Sequence, residues 1–397
     1  MTFVADLTEL YQDLHRNPEL SLQESRTARV LAEELRPLGF EVTTGVGGHG
    51  VVGLLRNGDG PVVMLRADID ALPVQEKTGL SYASTARGTD LAGNDVPVMH
   101  ACGHDMHATC LVGAAAQLAD AKDAWSGTLL VVFQPAEELA RGARAMVEDG
   151  LFERFPKPNI VLGQHVTSLP AGVIGYGTGP MLSAMDAVQV TLHGRGGHGS
   201  MPEKTIDPVL MAANVVTRLQ GIVAREVAPA DTAAVTVGRL QAGAKDNIIP
   251  DTAELGISMR TYSAETRDVV RGAIERIVRA EAAAGGAERD PEFDWTVSTP
   301  VLVNDADATE TTMATFVRHF GEQRVTRMPR QAASEDVGVY GEVAGVPTVF
   351  WFWGGFESAD SLPSNHSPEF APVIEPTLST GVEALVLAAR TWLDDRA

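Results

Sequence analysis

The stretch "VVMLRADID", residues 62–70, decides the fold. It begins as an unbroken apolar run and ends in two aspartates, Asp68 and Asp70. Such a run predicts a strand buried on both faces, as in a sheet covered by helices. In a sheet of that type, sites form in the crevice beyond the carboxyl ends of the strands. Four more short runs read the same way: VVGLLR (51–56), TLLVVFQ (128–134), NIVLGQH (159–165) and PTVFWFW (347–353). Helical patterns lie between them at 105–121 and 140–149. Residues 5–36 read as helices broken at Asn17-Pro18, with Leu7, Leu10 and Leu14 at helical spacing. The fold class is α/β, a helix-flanked mixed sheet.

The middle of the chain changes character. DAVQVTLHG (186–194) alternates as a half-buried strand does, and DPVLMAANVVTRLQGIVA (207–224) is helical with Pro208 in its first turn. TAAVTVGRL (232–240) and TAELGISMRT (252–261) read as strands. SAETRDVVRGAIERIVRAEAAAG (263–285) is an amphipathic helix with a Ser cap, and FDWTVS (293–298) is a last strand. The order βαββαβ is the ferredoxin-like motif. It predicts a second domain, 184–298, inserted into a discontinuous first domain of 1–183 and 299–397.

The 397 residues are too many for one ordinary core and suit two domains. Hydrophobic residues at 44% and charged residues at 21% predict a soluble globular chain. Two cysteines give no disulfide framework and fit a reducing compartment. The start, MTFVADLTELYQDLHRNPEL, has no apolar run of signal-peptide type, and no stretch is long enough to span a bilayer. The expected location is the cytoplasm. Lys plus Arg total 31 against 52 Asp plus Glu, a formal charge of −21. That surface repels nucleic acid and anionic membrane, so neither is expected as a partner.

Residues able to bind metal gather where the strands end. Asp68 and Asp70 close one strand, Glu137 and Glu138 follow TLLVVFQ, and His165 ends NIVLGQH. "HACGHDMH" (100–107) precedes a helix, and SLPSNHSPEF (361–370) carries His366. Cys102 and His104 flank Gly103, a spacing that lets both side chains reach one metal. Thiolate, imidazole and carboxylate suit zinc, and carboxylates also accept manganese and other divalent ions. An isolated Cys-x-His is more often a buried thiol beside a polar loop; the convergence of five segments reverses that. Of the adjacent glutamates, one would bind metal and the other take a proton from water, but their order does not assign the roles. His107 either orients a metal ligand or bonds backbone at the helix start, and His100 is equally open. His15, His49, His193 and His319 read as structural or exposed, and Cys110 as a core thiol.

Five ordered motifs carry a family resemblance: "RADIDALP", "MHACGHDMH", "QPAEE", "HGRGGHGSMP" and "SNHSPEF". In that order they resemble the aminoacylase, hippurate hydrolase and indole-acetyl-amino-acid hydrolase group. These are cocatalytic metallopeptidases related to carboxypeptidase G. The resemblance spans nearly the whole chain and implies a metallohydrolase domain with an inserted lid and dimerisation domain. It implies Cys102, His104, Glu138, His165 and His366 as metal ligands, Glu137 as general base and Asp70 as the carboxylate supporting the site. It further implies two divalent ions per chain, drawn from zinc, manganese, cobalt and nickel. One departure is "LGQHVTSLPAG", where relatives often carry Trp-Pro after the His-Val.

The Gly-rich loop GRGGHGS (194–200) lacks the Gly-Lys-Ser/Thr ending of a phosphate loop. By resemblance its His198 stabilises an oxyanion, often across a dimer. Asn247 in "KDNIIPD" and Arg260 in "SMRT" match positions that hold the substrate carboxylate, a task suited to the arginine fork. The expected activity is hydrolysis of an N-acyl amino acid (acetyl, benzoyl or indole-acetyl type) or a peptide by a homodimer. The alternatives are a dipeptidase or biosynthetic deacetylase of the same family, or a non-catalytic metal-stabilised binding protein.

Overall fold

Four parallel strands form the middle of the larger sheet in the computed structural model, which describes residues 6–357 and 362–395. Across the sheet they run Trp125–Gln134, Val62–Asp68, Ile160–Pro170 and Thr348–Phe356. Gly50–Asn57 and Glu41–Val46 extend one side antiparallel, and Ile174–Tyr176 pairs antiparallel on the other, so the sheet is mixed. The two middle strands are buried almost from end to end along their shared length, as their unbroken apolar runs require. Residues 1–5, 358–361, 396 and 397 of the expected first domain lie outside the described residues.

Helix His104–Asp120 is buried along nearly its whole length, which its run of alanines permits. At Gly113 an added Cβ would stand 2.7 Å from Val382 and 2.8 Å from Leu7, so the glycine lets three helices meet. The sheet and its helices share one core that includes Leu65, Leu111, Val131, Leu162, Trp351 and Leu385.

The chain divides into two compact units, Met1–Met181 with Val303–Arg330 and Asp336–Ala397, and Leu182–Leu302 with Gln331–Glu335. In the second unit the strands lie in the order Ala233–Ala242, Thr252–Thr261, Ala184–His193, Glu292–Thr299, all antiparallel. Helices Pro208–Leu219 and Ala264–Ala284 complete the βαββαβ unit around a core of Val190, Leu255, Ile274 and neighbours. This is the ferredoxin-like arrangement that the alternating pattern predicts.

One expected boundary moves. NIVLGQH was expected to end at His165, but the strand runs on to Pro170. Val166 and Thr167 continue the pairing with Trp353 and Gly354, so ladder bonds carry the strand past its apolar stretch.

The loop between the first two helices, residues 17–24, fastens the site from behind. Glu19 accepts hydrogen bonds from the backbone N–H groups of Arg26 and Thr27, and its own carbonyl accepts one from Ala71. Glu24 is fully buried and accepts from the N–H groups of Leu22 and Ala136. Ala136, just before the glutamate pair, holds a left-handed φ of 50° that a non-glycine residue adopts only when its surroundings enforce it. Burial, reinforced by Asp70, pushes the Glu24 carboxyl up to about 7.

This shift fixes a pH dependence. The unfolded chain releases the Glu24 proton near 4.5, whereas the native state keeps it to about pH 7. Through that window the native state binds the extra proton, so Glu24's contribution to stability falls as pH rises. Glu24→Gln retains an acceptor for both N–H groups and cannot ionise. Urea unfolding of chelator-treated protein should show wild type losing about 2–3 kcal/mol relative to Glu24→Gln between pH 4.5 and 7.5. Parallel stability curves would contradict it.

Candidate metal centre

Gly103 begins the site. Its φ of +82° is left-handed, and a Cβ there would lie 2.4 Å from Val166 and 3.3 Å from Phe370. Only glycine fits that turn, which lets Cys102 and His104 both reach His165. Cys102 Sγ lies 3.5 Å from His165 Nε2. Cys102, His104 and His165 each offer a ligand atom within 4.8 Å of the others, and so do Cys102, Glu138 and His366. A third group of this kind is His104, Glu137 and Glu138. The structure thus brings together all six of these residues, with Cys102 common to the first two groups.

The imidazoles are oriented from behind. His104 Nδ1 donates to Asp70 Oδ1 at 3.2 Å, so Nε2 is the nitrogen that faces the glutamates, each 3.9 Å away. His165 Nδ1 donates to the Val166 carbonyl, which leaves its Nε2 lone pair facing Cys102. Each backing bond holds Nδ1 and turns Nε2 inward, so the neutral ring would present to a metal the nitrogen that a ligand requires. The loop bearing His366 is fastened by a hydrogen bond from its N–H to the Ala101 carbonyl, and His366 Nε2 stands 3.4 Å from Glu138 Oε2. Asn365 Nδ2 donates to the carbonyls of Cys102 and Val166.

Two buried polar atoms lack a hydrogen-bond partner here: His104 Nε2 and Glu138 Oε1. An unsatisfied buried imidazole nitrogen and carboxylate oxygen are each costly, on the order of 1–3 kcal/mol or more. A divalent cation satisfies both, and the sulfur, nitrogen and oxygen donors form a set that such ions accept. The residues therefore fit a metal.

The electrostatics are those of a cluster built around positive charge. Burial pushes the Cys102 thiol up, and Glu138 adds to the effect. Burial alone would lower His104, but Asp68 and Asp70 outweigh it and raise it well above the usual imidazole range. Burial and the neighbouring His107 hold His165 well below that range. His366 is raised to about 10 by its bonds to Cys102 and Glu138.

His107 has both nitrogens engaged. Its Nδ1 donates to Asp68, and its Nε2 accepts from Val166 N–H at 2.9 Å. It therefore orients the His165 strand and also bonds backbone, joining the two roles open to it from sequence. His100 is buried outside these groups and is held down to about 4, chiefly by burial. His15 is buried between Asp105 and Glu76, and Cys110 is a core thiol.

Several supporting residues carry no role in the sequence reading. Ser21 Oγ donates to Asp70 Oδ2 at 2.6 Å. Fully buried Arg66 donates to Asp68, Gln134 and Asp336, and Asp336 also accepts from Gln134 and from Ala143 N–H. The signal for Arg66 and Asp68 was present: two charges inside an apolar strand run. Nothing in the local pattern marks Ser21 or Asp336.

The remaining expected residues lie in the second unit. Gly197 and His198 pair with Ile249 and Ile248, and Gly199 N–H donates to the Asn247 carbonyl, so His198 and Asn247 are neighbours. His198 Nδ1 accepts from the N–H and hydroxyl of Ser200, which places the neutral ring's proton on Nε2. Arg260 Nη1 donates to the Ala332 carbonyl and to Ser334 Oγ at 2.7 and 2.8 Å.

Residues 64–391 match peptidase family M20/M25/M40. The chain is 38% identical over 343 residues to a hippurate hydrolase of Campylobacter jejuni, covering 85% of each. It is 35% identical over 389 residues to thermostable carboxypeptidase 2 of Saccharolobus solfataricus, covering 96% of this chain and 94% of that one. The crystal structure of Bacillus subtilis YxeP, described as a dinuclear metal binding peptidase of the M20 family, is similar with a TM-score of 0.77. Its identity is 30%, over 97% of both chains. The resemblance carried by the five motifs is borne out: this chain belongs to peptidase family M20/M25/M40.

Proposed function

We propose that the protein hydrolyses N-acyl amino acids to a carboxylic acid and a free amino acid, with Cys102, His104, Glu138, His165 and His366 holding up to two divalent ions. Family membership makes the chain a metal-dependent amidohydrolase, so the non-catalytic alternative falls away. The observation that carries the reading is the pair of unsatisfied buried atoms, His104 Nε2 and Glu138 Oε1, beside a second glutamate. Zinc, manganese, cobalt and nickel all suit these donors. A bound ion supplies Lewis acidity, which polarises an amide carbonyl and makes water acidic near neutral pH.

The residues around it divide the work. Glu138 belongs both to the group with Cys102 and His366 and to the group with His104, whereas Glu137 joins only the second of these two, which supports Glu138 as ligand and Glu137 as base. Glu137 takes a proton as the water oxygen adds to the amide carbon, then returns it to the amine as the C–N bond breaks. Asp70 holds His104 in its ligating tautomer. His198 Nε2–H stabilises the oxyanion, and Arg260 with Asn247 reads the free carboxylate. A hippurate hydrolase and a carboxypeptidase both fit an amide whose amine half ends in a carboxylate. Dipeptidase or biosynthetic deacetylase chemistry would use the same residues.

We assign a homodimer to this function. Strand Ala233–Ala242 is a ten-residue edge with one neighbour among the described residues, and such an edge can pair with its twin about a two-fold axis. Both cysteines are free and buried, which agrees with a reducing compartment, the cytoplasm. Among the described residues no helix is long and apolar enough to cross a membrane.

Chelation should abolish turnover of N-acyl amino acids, and zinc, manganese, cobalt or nickel should restore it. Full activity in metal-free protein would contradict the reading. Glu137→Gln should keep its metal and lose roughly 100- to 10,000-fold in turnover, while Glu138→Gln should also lose metal. Metal content and rates measured on both variants decide between the roles, and exchanged phenotypes would exchange them.

His198 is proposed to act in trans. Glu137→Gln and His198→Ala, unfolded and refolded together, should recover one working site per mixed dimer. A rate that stays at the single-variant baseline, with mixed dimers present, would rule the arrangement out.

A further inference from the structure

A buried histidine with no part in the proposed chemistry bonds a carboxylate through each of its ring nitrogens. His15, near the end of helix Leu7–Arg16, is 1% exposed. Its Nδ1 lies 2.6 Å from Asp105 Oδ2 and its Nε2 lies 3.1 Å from Glu76 Oε1. The side chains of both partners are buried as well. The rings of Tyr11 and Tyr82 pack against the imidazole, with centroids 5.7 and 5.3 Å away. Ionised carboxylates only accept hydrogen bonds, so a ring held between two of them donates from both nitrogens and is positively charged. Burial opposes that charge, but the bonds to Asp105 and Glu76 outweigh it and raise His15 to about 10.

Each partner leads to a different candidate ligand. Asp105 directly follows His104 in the first turn of helix His104–Asp120, where its Oδ1 accepts from Met106 N–H at 2.9 Å. Glu76 accepts from the Thr78 hydroxyl and from Ser84 N–H, which fixes its stretch of chain. The next residue, Lys77, donates its N–H to the Pro368 carbonyl at 2.8 Å. Pro368 lies two residues beyond His366. The ring therefore stands between the helix start that carries His104 and the stretch that fastens the His366 loop. His104 belongs to the ligand group with Cys102 and His165, and His366 to the group with Cys102 and Glu138.

We infer that His15 is a positioning residue for the metal centre, a buried clasp that ties the segment of His104 to the segment of His366 and so keeps the two ligand groups in register. The inference rests on the ligand assignment above. A rigid planar ring suits the task, because it fixes the distance between the two carboxylates that it bridges. Loss of the ring leaves two buried carboxylates without their cation, and the segments that carry them then separate. A ring that served the fold alone would change stability and leave metal affinity as it was.

Zinc affinity, measured by competition with a chromophoric chelator, tests the clasp without any substrate. His15→Gln should weaken zinc binding by roughly ten-fold, at the lower end of what groups supporting a metal ligand contribute. Lys77→Pro removes the N–H that reaches Pro368 from an exposed position, and should weaken zinc binding by a similar factor. The two changes break one chain of contacts, so the double variant should bind zinc no more weakly than the weaker single variant. Wild-type zinc affinity in folded His15→Gln would overturn the clasp, and so would effects that multiply in the double variant. Should His15→Gln fail to fold, adding Glu76→Gln returns the pocket to its original net charge. Weakened zinc binding by that variant supports the clasp, and wild-type binding overturns it. A wild-type protein that takes up no zinc would refute the ligand assignment, and the clasp with it. The readout needs no turnover, so failure to cleave N-acyl amino acids would count against the proposed substrate and leave the clasp standing.

Discussion

The carboxylate of Asp70 joins the parts of the site. It accepts from His104 Nδ1, from Ser21 Oγ and from the backbone N–H of Glu138. Three segments distant in sequence converge on its two oxygens: the N-terminal loop, the start of the long buried helix and the loop after strand Trp125–Gln134. Burial raises the free energy of a carboxylate, yet these bonds outweigh it and hold Asp70 below its ordinary range. The positions of the candidate ligands depend on this joint because each of the three segments carries, or directly supports, a side chain of the cluster.

Beneath Asp70 lies a second buried carboxylate, Asp68, bonded to Arg66 and His107. Arg66 links it to Asp336 and Gln134. Such a network is costly to bury and makes sense where position matters more than stability. It fixes His107, which fixes the backbone at Val166 beside His165. The site is therefore supported from two sides, through Asp70 to His104 and Glu138, and through Asp68 to His165.

Much of this was legible in the sequence, for physical reasons. Unbroken apolar runs mark strands buried on both faces, and alternation marks the half-buried strands of the second unit, so the α/β class and the βαββαβ insertion follow from periodicity. Chemically distinctive side chains at strand ends mark the cluster. The strand through His165 was read too short because Thr167, Ser168 and Pro170 give no apolar signal, while its partner Thr348–Phe356 supplies the ladder. Ser21, Glu24 and Asp336 were not legible because their roles arise from contacts across long stretches of chain. Glu24 reaches Ala136 and Asp336 reaches Arg66, and no local pattern records such a meeting.

The central claim is that Cys102 ligates the ion together with imidazoles and carboxylate. X-ray absorption at the zinc edge of zinc-loaded protein tests it most directly. The account predicts a sulfur neighbour at about 2.3 Å alongside nitrogen and oxygen at about 2.0–2.2 Å, with the sulfur shell lost in Cys102→Ser. A shell of nitrogen and oxygen alone in the wild-type protein would contradict it.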